Sequence, residues 1–222
     1  MSSISATRYS TFERCPLQYR FRYEYKLLSQ KSDALIIGSL YHEMLEAYHN
    51  NNESKSRQII KDNPEHSTML THLFTKYLGN PVLGSVLETE YEFHVDIPGV
   101  DIPLYGFIDR IDESQGVEYK TSSKKWNEKD VDTIQTDIYM YVLLKKFGRP
   151  IPLVYSINNK KTNVLPQIIP VERSEDEIMG LEGKIKRYIS DVHTSRFEAT
   201  PGPHCFGLCP WSKTGDRTCP YG

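Results

Sequence analysis

Between Glu90 and Lys120 the sequence adopts a period of two and is cut twice by turn residues, which constrains the fold more than any other stretch. Tyr91, Phe93, Val95 and Ile97 alternate with Glu90, Glu92, His94 and Asp96, the pattern of a half-buried strand. Pro98-Gly99 turns the chain into a second strand over residues 102–111. The Asp-Glu-Ser-Gln-Gly run from Asp112 to Gly116 turns it again into a third over residues 117–120. The expectation is a three-stranded antiparallel meander. Because strand side chains alternate faces, Glu118 and Lys120 are presented together and Val117 and Tyr119 point the other way. Pairing as a hairpin brings Asp109 toward Glu118. Two converging carboxylates suit a hard divalent cation, whereas an isolated Glu-x-Lys is equally the salt bridge of a surface hairpin.

Helical patterns surround this block. A helix ends near Arg14, and Pro16 opens a second at its first turn, where a missing amide hydrogen costs nothing. Around them Arg14, Arg20, Arg22 and Lys26 alternate with Tyr9, Phe12, Tyr19, Phe21, Tyr23 and Tyr25. These can line a nucleic-acid path, or the aromatics can be core and the arginines solvated. Residues 38–50 form the clearest helix, with Ser39 as a cap and Leu40, Met44, Leu45 and Tyr48 as its apolar stripe. His42 lies beside that stripe, either as a hydrogen-bonded core histidine or as a ligand. Residues 51–63 read as a loop or loose helix and 64–79 as a helix. After a basic loop with Lys124, Lys125 and Lys129, a helix over about 131–147 turns Val131, Ile134, Ile138, Tyr141 and Val142 toward the sheet, and Gln135 and Tyr139 share a neighbouring face. Strands at 153–157 and 164–169 and a helix at 174–193 complete the order, which is α/β with a mixed central sheet.

Composition narrows the function classes. At 222 residues, 38% hydrophobic and 25% charged, the chain reads as one globular domain, with no apolar run long enough to span a bilayer and no secretory signal. The expected location is cytoplasmic, without membrane association. A net charge of −2 argues against a broadly basic nucleic-acid coat, although residues 1–31 hold six Lys or Arg against two Glu. Of four cysteines, three fall in the last eighteen residues, within a Gly/Pro-rich tail. In an intracellular chain such clustering points to metal ligation before disulfides.

Taken in order, Gly38-x3-His42, Gly106-x2-Asp109, Glu118-x-Lys120 and Gln135-x3-Tyr139 resemble the motifs of RecB-like nucleases of the PD-(D/E)XK superfamily. The opening, Ser5-x3-Tyr9 followed by Phe12-Glu-Arg-Cys15-Pro16, is similar to the start of those domains. The resemblance implies a restriction-endonuclease-like core, a central mixed β-sheet flanked by helices, with a cysteine-bearing tail tied to the N-terminal helices. On that pattern residues 1–37 are an N-terminal helical part, 38–200 the nuclease core and 201–222 the tail. The implied ligands of magnesium or manganese are His42, Asp109, Glu118 and the Tyr119 main-chain carbonyl. Asp109, Glu118 and Lys120 would be catalytic, and Gln135 and Tyr139 would support the site or touch the nucleic-acid backbone.

Cys15, Cys205, Cys209 and Cys219 resemble the ligand set of the AddB and CRISPR-adaptation nucleases, which hold a 4Fe-4S cluster, although Cys-x3-Cys-x9-Cys is wider than their spacing. Four thiolates suit an iron-sulfur cluster or tetrahedral zinc. Either would close a very long loop between residue 15 and the tail. The implied activity is a metal-dependent DNA nuclease, an exonuclease on single-stranded DNA or DNA ends. Its partners would be a helicase, an integrase or further copies of the chain. The rival readings are a nucleic-acid-binding module that has lost catalysis and a zinc-stapled interaction module.

Overall fold

The computed structural model describes residues 2–29, 32–131, 133–206, 209–212, 215 and 218–221. Its first helices are α1 (Ala6–Arg14), α2 (Pro16–Tyr19), which continues into a turn of π-helix at Arg20–Glu24, α3 (Asp33–His49), α4 (Glu53–Asp62) and α5 (Ser67–Gly79). Strands β1 (Val86–Val95), β2 (Leu104–Asp112) and β3 (Gly116–Ser122) follow, then α6 (Glu128–Val131) and α7 (Ile134–Phe147). The chain ends with β4 (Leu153–Asn159), β5 (Gln167–Val171), α8 (Glu175–Met179), α9 (Leu181–Thr194) and a short turn at Pro203–Cys205. Two compact units emerge, one of Met1–Lys31, Asp96–Leu104 and Gly180–Gly222, the other of Ser32–Val95 and Tyr105–Met179. No helix among the described residues is long and apolar enough to cross a membrane.

The larger unit is built on a five-stranded sheet in the order β1-β2-β3-β4-β5. β2 and β3 pair antiparallel, β3 and β4 parallel, and β4 and β5 antiparallel, so the sheet is mixed. The parallel step is the one that needs a crossover, and α7 supplies it, packing on both β3 and β4. Burial follows position in the sheet. All seven residues of β4 are buried and so are Gly116 to Tyr119 of β3, whereas β5, at an edge, alternates and accommodates Pro170. Period-two alternation is therefore a property of the margin here. At the centre, both faces of the sheet are covered.

Helices α3 to α5 cover β3 and β4 through one apolar cluster. Tyr41, Met44 and Leu45 of α3, Ile59 of α4, and Leu70, Leu73, Phe74 and Tyr77 of α5 meet Val117, Tyr119 and Val154. The α5 residues recur at i, i+3, i+4 and i+7, and burying side chains of this size contributes roughly 1.5–3 kcal/mol each.

Several helix limits differ from the expected ones. α3 begins at Asp33, capped by the Ser32 side chain on the Leu35 N–H, rather than at Ser39. Residues 51–63 contain a true helix, α4, capped by Asn52 and held by a Ser56 hydroxyl donating to the Met44 carbonyl at 2.8 Å. The expected 174–193 helix is two, α8 and α9, separated at Gly180, and the expected 131–147 helix is α7, capped by Thr133, with Val131 ending the separate short α6. α7 is buried on nearly every side from Thr136 to Leu144 instead of along one stripe, with α8 packed against it.

In the smaller unit, Ser5 caps α1, and Cys15 interrupts the helix in extended conformation at φ −162° before Pro16 opens α2. Phe12, Tyr19 and Phe21 are buried. Tyr9 stacks on Tyr188 with ring centroids 4.7 Å apart, and Tyr19 on Phe197 at 6.2 Å. The arginines lie over the outer aromatics, Arg8 and Arg22 on Tyr23 and Arg20 on Tyr25. The N-terminal aromatics thus build core on one side and cation-π pairs on the other. The tail is anchored by Trp211, buried with Phe21, Leu17, Cys209 and Cys219.

Candidate active site

The central hairpin of the larger unit positions the candidate residues. Arg110 pairs with Val117 and Ile111 with Gly116, and the next rung of that register brings Asp109 to Glu118. The Tyr119 N–H donates to Asp109 Oδ2 at 2.6 Å, so the strand backbone itself orients the carboxylate. Oδ1 faces α3, where His42 Nδ1 lies at 3.1 Å. Gly106 makes this arrangement possible three residues earlier. A Cβ there would lie 2.8 Å from Cζ of Phe93, whose ring meets Tyr139 edge-on at 6.0 Å.

Glu118 is almost fully buried. Its Oε1 accepts from Lys120 Nζ, as the shared strand face requires, and from Gln135 Nε2 at 3.0 Å. Gln135 donates as well to the Tyr139 hydroxyl at 3.0 Å, so the two α7 residues act on one carboxylate. Glu118 Oε2 is buried and, among the described residues, has no hydrogen-bond partner. An orphaned carboxylate oxygen is costly unless something electropositive reaches it.

The electrostatics divide the two acids. Burial pushes the Glu118 carboxyl up, the Asp109 charge adds to it, and against the opposing Lys120 and His42 it reaches about 7. Burial would raise Asp109 too, but His42, by charge and hydrogen bond, together with the Tyr119 N–H and Lys120, holds it below the usual carboxylate range. For His42, burial favours the neutral ring, and the charge and hydrogen bond of Asp109 with the charge of Glu118 overcome it, raising the imidazole to about 9. A cation taking His42 as ligand must displace that proton.

Two residues escaped the sequence reading. Glu90 sits on β1 at φ +48°, a left-handed conformation uncommon for glutamate, and is only half-buried. His42, Glu90 and Asp109 each offer a ligand atom within 4.8 Å of the others, the one such group of three among the described residues. In sequence Glu90 is one of four polar residues on an alternating strand, and nothing there marks it. His49 is the second, and its signal was available, since it lies two helical turns after His42. Its Nε2 lies 2.7 Å from the Tyr77 hydroxyl and 2.9 Å from that of Tyr119, its ring stacked on Tyr119. The site opens on a cleft of about 730 Å³ lined by Gly38, Ser39, His42, Glu43, Glu46, Glu90, Lys120 and Thr121 among others. Three glutamates in that lining would repel a nucleic-acid backbone unless cations stood between them.

In the smaller unit, Cys15, Cys205, Cys209 and Cys219 all line one small cavity with Leu17, Gln18, Phe21 and His204. Cys15 and Cys209 are buried, Cys205 and Cys219 partly so. Burial pushes the Cys209 thiol up, and the neighbouring Cys15, Cys219 and Cys205 add to this against a backbone hydrogen bond from Trp211. Four thiols lining one cavity form a donor set that fits a thiophilic metal group.

A five-stranded mixed sheet flanked by helices, with an Asp-Glu-Lys constellation on its central hairpin, is the restriction-endonuclease-like class of α/β fold. The model of the PD-(D/E)XK nuclease superfamily matches residues 3–214, and the chain belongs to that superfamily. Among solved structures, it is similar to the crystal structure of the "Putative exonuclease" from Eubacterium rectale, with a TM-score of 0.63 and 16% identity over 93% of this chain and 87% of the other. It is similar also to the crystal structure of SSO0001, with a TM-score of 0.55 and 18% identity over 100% of this chain and 87% of that one. No curated protein matches the chain at a significant level.

Proposed function

We propose that this chain is a magnesium- or manganese-dependent deoxyribonuclease, an exonuclease acting on single-stranded DNA or DNA ends. The observation that carries the reading is the buried, unpartnered Glu118 Oε2 beside Asp109, with Lys120 and Gln135 occupying Oε1. His42, Asp109, Glu118 and the Tyr119 carbonyl would hold the cation. Bound there, a divalent cation offsets phosphodiester charge and makes water nucleophilic at neutral pH. Lys120, held against Glu118, presents its ammonium to orient the attacking water or to meet the charge that develops on the phosphoryl oxygens. Gln135 keeps Glu118 in its rotamer, and Tyr139 buttresses Gln135.

The superfamily match across residues 3–214 supports treating both units as parts of one nuclease domain. The four cysteines around one cavity support a structural 4Fe-4S cluster. Zinc–sulfur bonds of about 2.3 Å would draw four thiolates to about 3.8 Å from one another. A 4Fe-4S cluster instead holds its four thiolates farther apart, on separate irons. Anaerobically purified protein should therefore be brown, and Cys15→Ser should lose the visible absorption.

The test of the activity is degradation of end-labelled single-stranded DNA with manganese by the wild type and by Lys120→Ala. Cleavage that disappears in the variant is the expected result, with label position giving polarity. Binding without cleavage by both proteins would overturn the reading in favour of a catalytically silent binding module.

A further inference from the structure

The cavity shared by the four cysteines poses a charge problem that their sulfurs do not solve. An iron-sulfur cluster held by thiolates carries net negative charge, and burying charge is costly unless hydrogen bonds or counter-charges meet it. Among the described residues, no lysine or arginine lines the cavity. Main-chain amides offer little more. The N–H groups of Cys15, Cys205, Cys209 and Cys219 donate to the carbonyls of Thr11, Gly202, His204 and Trp211 at 2.7–3.0 Å. The Trp211 main-chain N–H serves Cys209, and the Ser212 hydroxyl donates to the Cys209 carbonyl at 2.9 Å.

Three side chains remain whose buried polar atoms have no hydrogen-bond partner among the described residues: Gln18 Oε1, His204 Nε2 and Trp211 Nε1. Gln18 and His204 line the cavity with the cysteines, and Trp211 packs in one buried cluster with Phe21, Leu17, Cys209 and Cys219. Gln18 is 6% exposed and Trp211 1%, so bulk water does not supply the missing bonds. An indole nitrogen has only a donor to offer, and a neutral imidazole offers one at either nitrogen. The ends of a glutamine amide exchange by a half-turn that puts Nε2 where Oε1 stands. Orphaned buried groups of this kind are costly, and three of them gathered around four thiols are explained by an acceptor that the cavity receives.

We propose that Gln18, His204 and Trp211 donate hydrogen bonds to the sulfur atoms of the cluster that Cys15, Cys205, Cys209 and Cys219 ligate. They act as positioning residues rather than ligands. The proposal rests on the iron-sulfur reading of the cysteines and is independent of the cation site at Asp109 and Glu118. The donors secure the cluster in its cavity. Because reduction adds negative charge to the sulfurs, they also favour the reduced state and raise the reduction potential.

The test is resonance Raman spectroscopy of the full-length chain with its cluster reconstituted anaerobically in ordinary or heavy water, alongside the rate at which a chelator removes iron. In the wild type the iron-sulfur stretching bands should shift in heavy water, as sulfurs that accept N–H bonds require. Gln18→Met and His204→Phe should each diminish that shift, lower the reduction potential and release iron about tenfold faster or more. His204→Gln, which keeps an N–H, should restore part of the loss. Trp211 anchors the tail, so its role is read in the unsubstituted protein. Isotopic labelling of the indole nitrogen should give a weak nitrogen coupling in the pulsed EPR spectrum of the reduced cluster, and absence of that coupling would remove Trp211 from the set. If the cluster assembles but its bands ignore heavy water and both variants match wild type in potential and iron release, the donors are wrong and the iron-sulfur reading stands. If iron and acid-labile sulfide never enter the protein, the iron-sulfur reading fails and the donors with it.

Discussion

The Gln135 amide donates at 3.0 Å to Glu118 Oε1, and this bond determines which oxygen of the buried carboxylate stays open. With Lys120 on the same Oε1, Oε2 is the one left without a hydrogen-bond partner among the described residues. Gln135→Met keeps the side-chain volume and removes the donor. Cleavage is expected to slow by about 10–100-fold through kcat, as for other partners that orient a metal ligand. Single-turnover kinetics at saturating DNA checks this, and an unchanged thermal midpoint separates positioning from folding. An effect confined to KM would place Gln135 on the substrate instead.

Gly38 lies within α3 on the wall of the cleft, and a Cβ added there meets nothing within 4 Å. Packing therefore gives no reason for glycine, and helix propensity argues against it. Gly38→Ala should stabilise the protein by about 0.5–1 kcal/mol in urea unfolding. If the bare helix face is where the DNA backbone approaches, the same variant should bind single-stranded DNA more weakly. Stability gained without any loss of binding would dissociate Gly38 from the substrate.

Arg110 and Asp112 form a buried pair, with Nε on Oδ1 at 2.6 Å and Nη2 on Oδ2 at 2.7 Å. The same guanidinium donates to the carbonyls of Val82 and Gly84 and so fastens the chain just ahead of β1. Asp112→Asn leaves a buried cation uncompensated, and a loss of about 3–5 kcal/mol is expected in denaturant unfolding. Arg110→Met with Asp112→Leu, which removes both charges, should recover part of it. No recovery would mean that the carbonyl contacts, rather than the ion pair, hold the loop.

His49 supplies a pH dependence away from the acids. Burial, helped by the Arg110 charge and opposed by Asp112, lowers its imidazole from 6.5 to about 4. Between those values the unfolded chain binds a proton that the folded one does not. Its contribution is therefore complete above about 6.5, declines as the pH falls, and is gone below about 4. Allowing for its partial exposure, about 2 kcal/mol is at stake. Urea unfolding at pH 7.5 and 4.5 should show a smaller difference for His49→Gln than for wild type, and an equal difference would rule out His49 as the source.

The hairpin that joins Asp109 to Glu118 could be read from residues 90–120 because alternation and turn chemistry are local, and the α/β class with its mixed sheet from the order of helical and strand patterns along the whole chain. Helix limits were less accessible. Ser32 and Ser39 are equally good caps, and only the apolar Ile36 and Ile37 beyond the glycine extend α3 backward. α7 defeated a single-stripe reading because it is covered on nearly every side from Thr136 to Leu144, a fact of tertiary packing that no helical period encodes. Glu90 was illegible for a different reason. Its place near His42 and Asp109 depends on a positive φ at a residue type that seldom adopts one, and neither glycine nor asparagine announces it.

The rungs of β2 and β3 give the turn between them a role of its own. Because a strand exchanges its faces with every residue, one residue inserted among Glu113 to Gln115 that shifted the pairing would put Val117 or Tyr119 where Glu118 now stands and turn Lys120 away. The chemical identities of the turn residues can drift, but the parity of their number cannot. The spacing between Asp109 and Glu118 thus acts as a ruler, with the polar turn as its length standard.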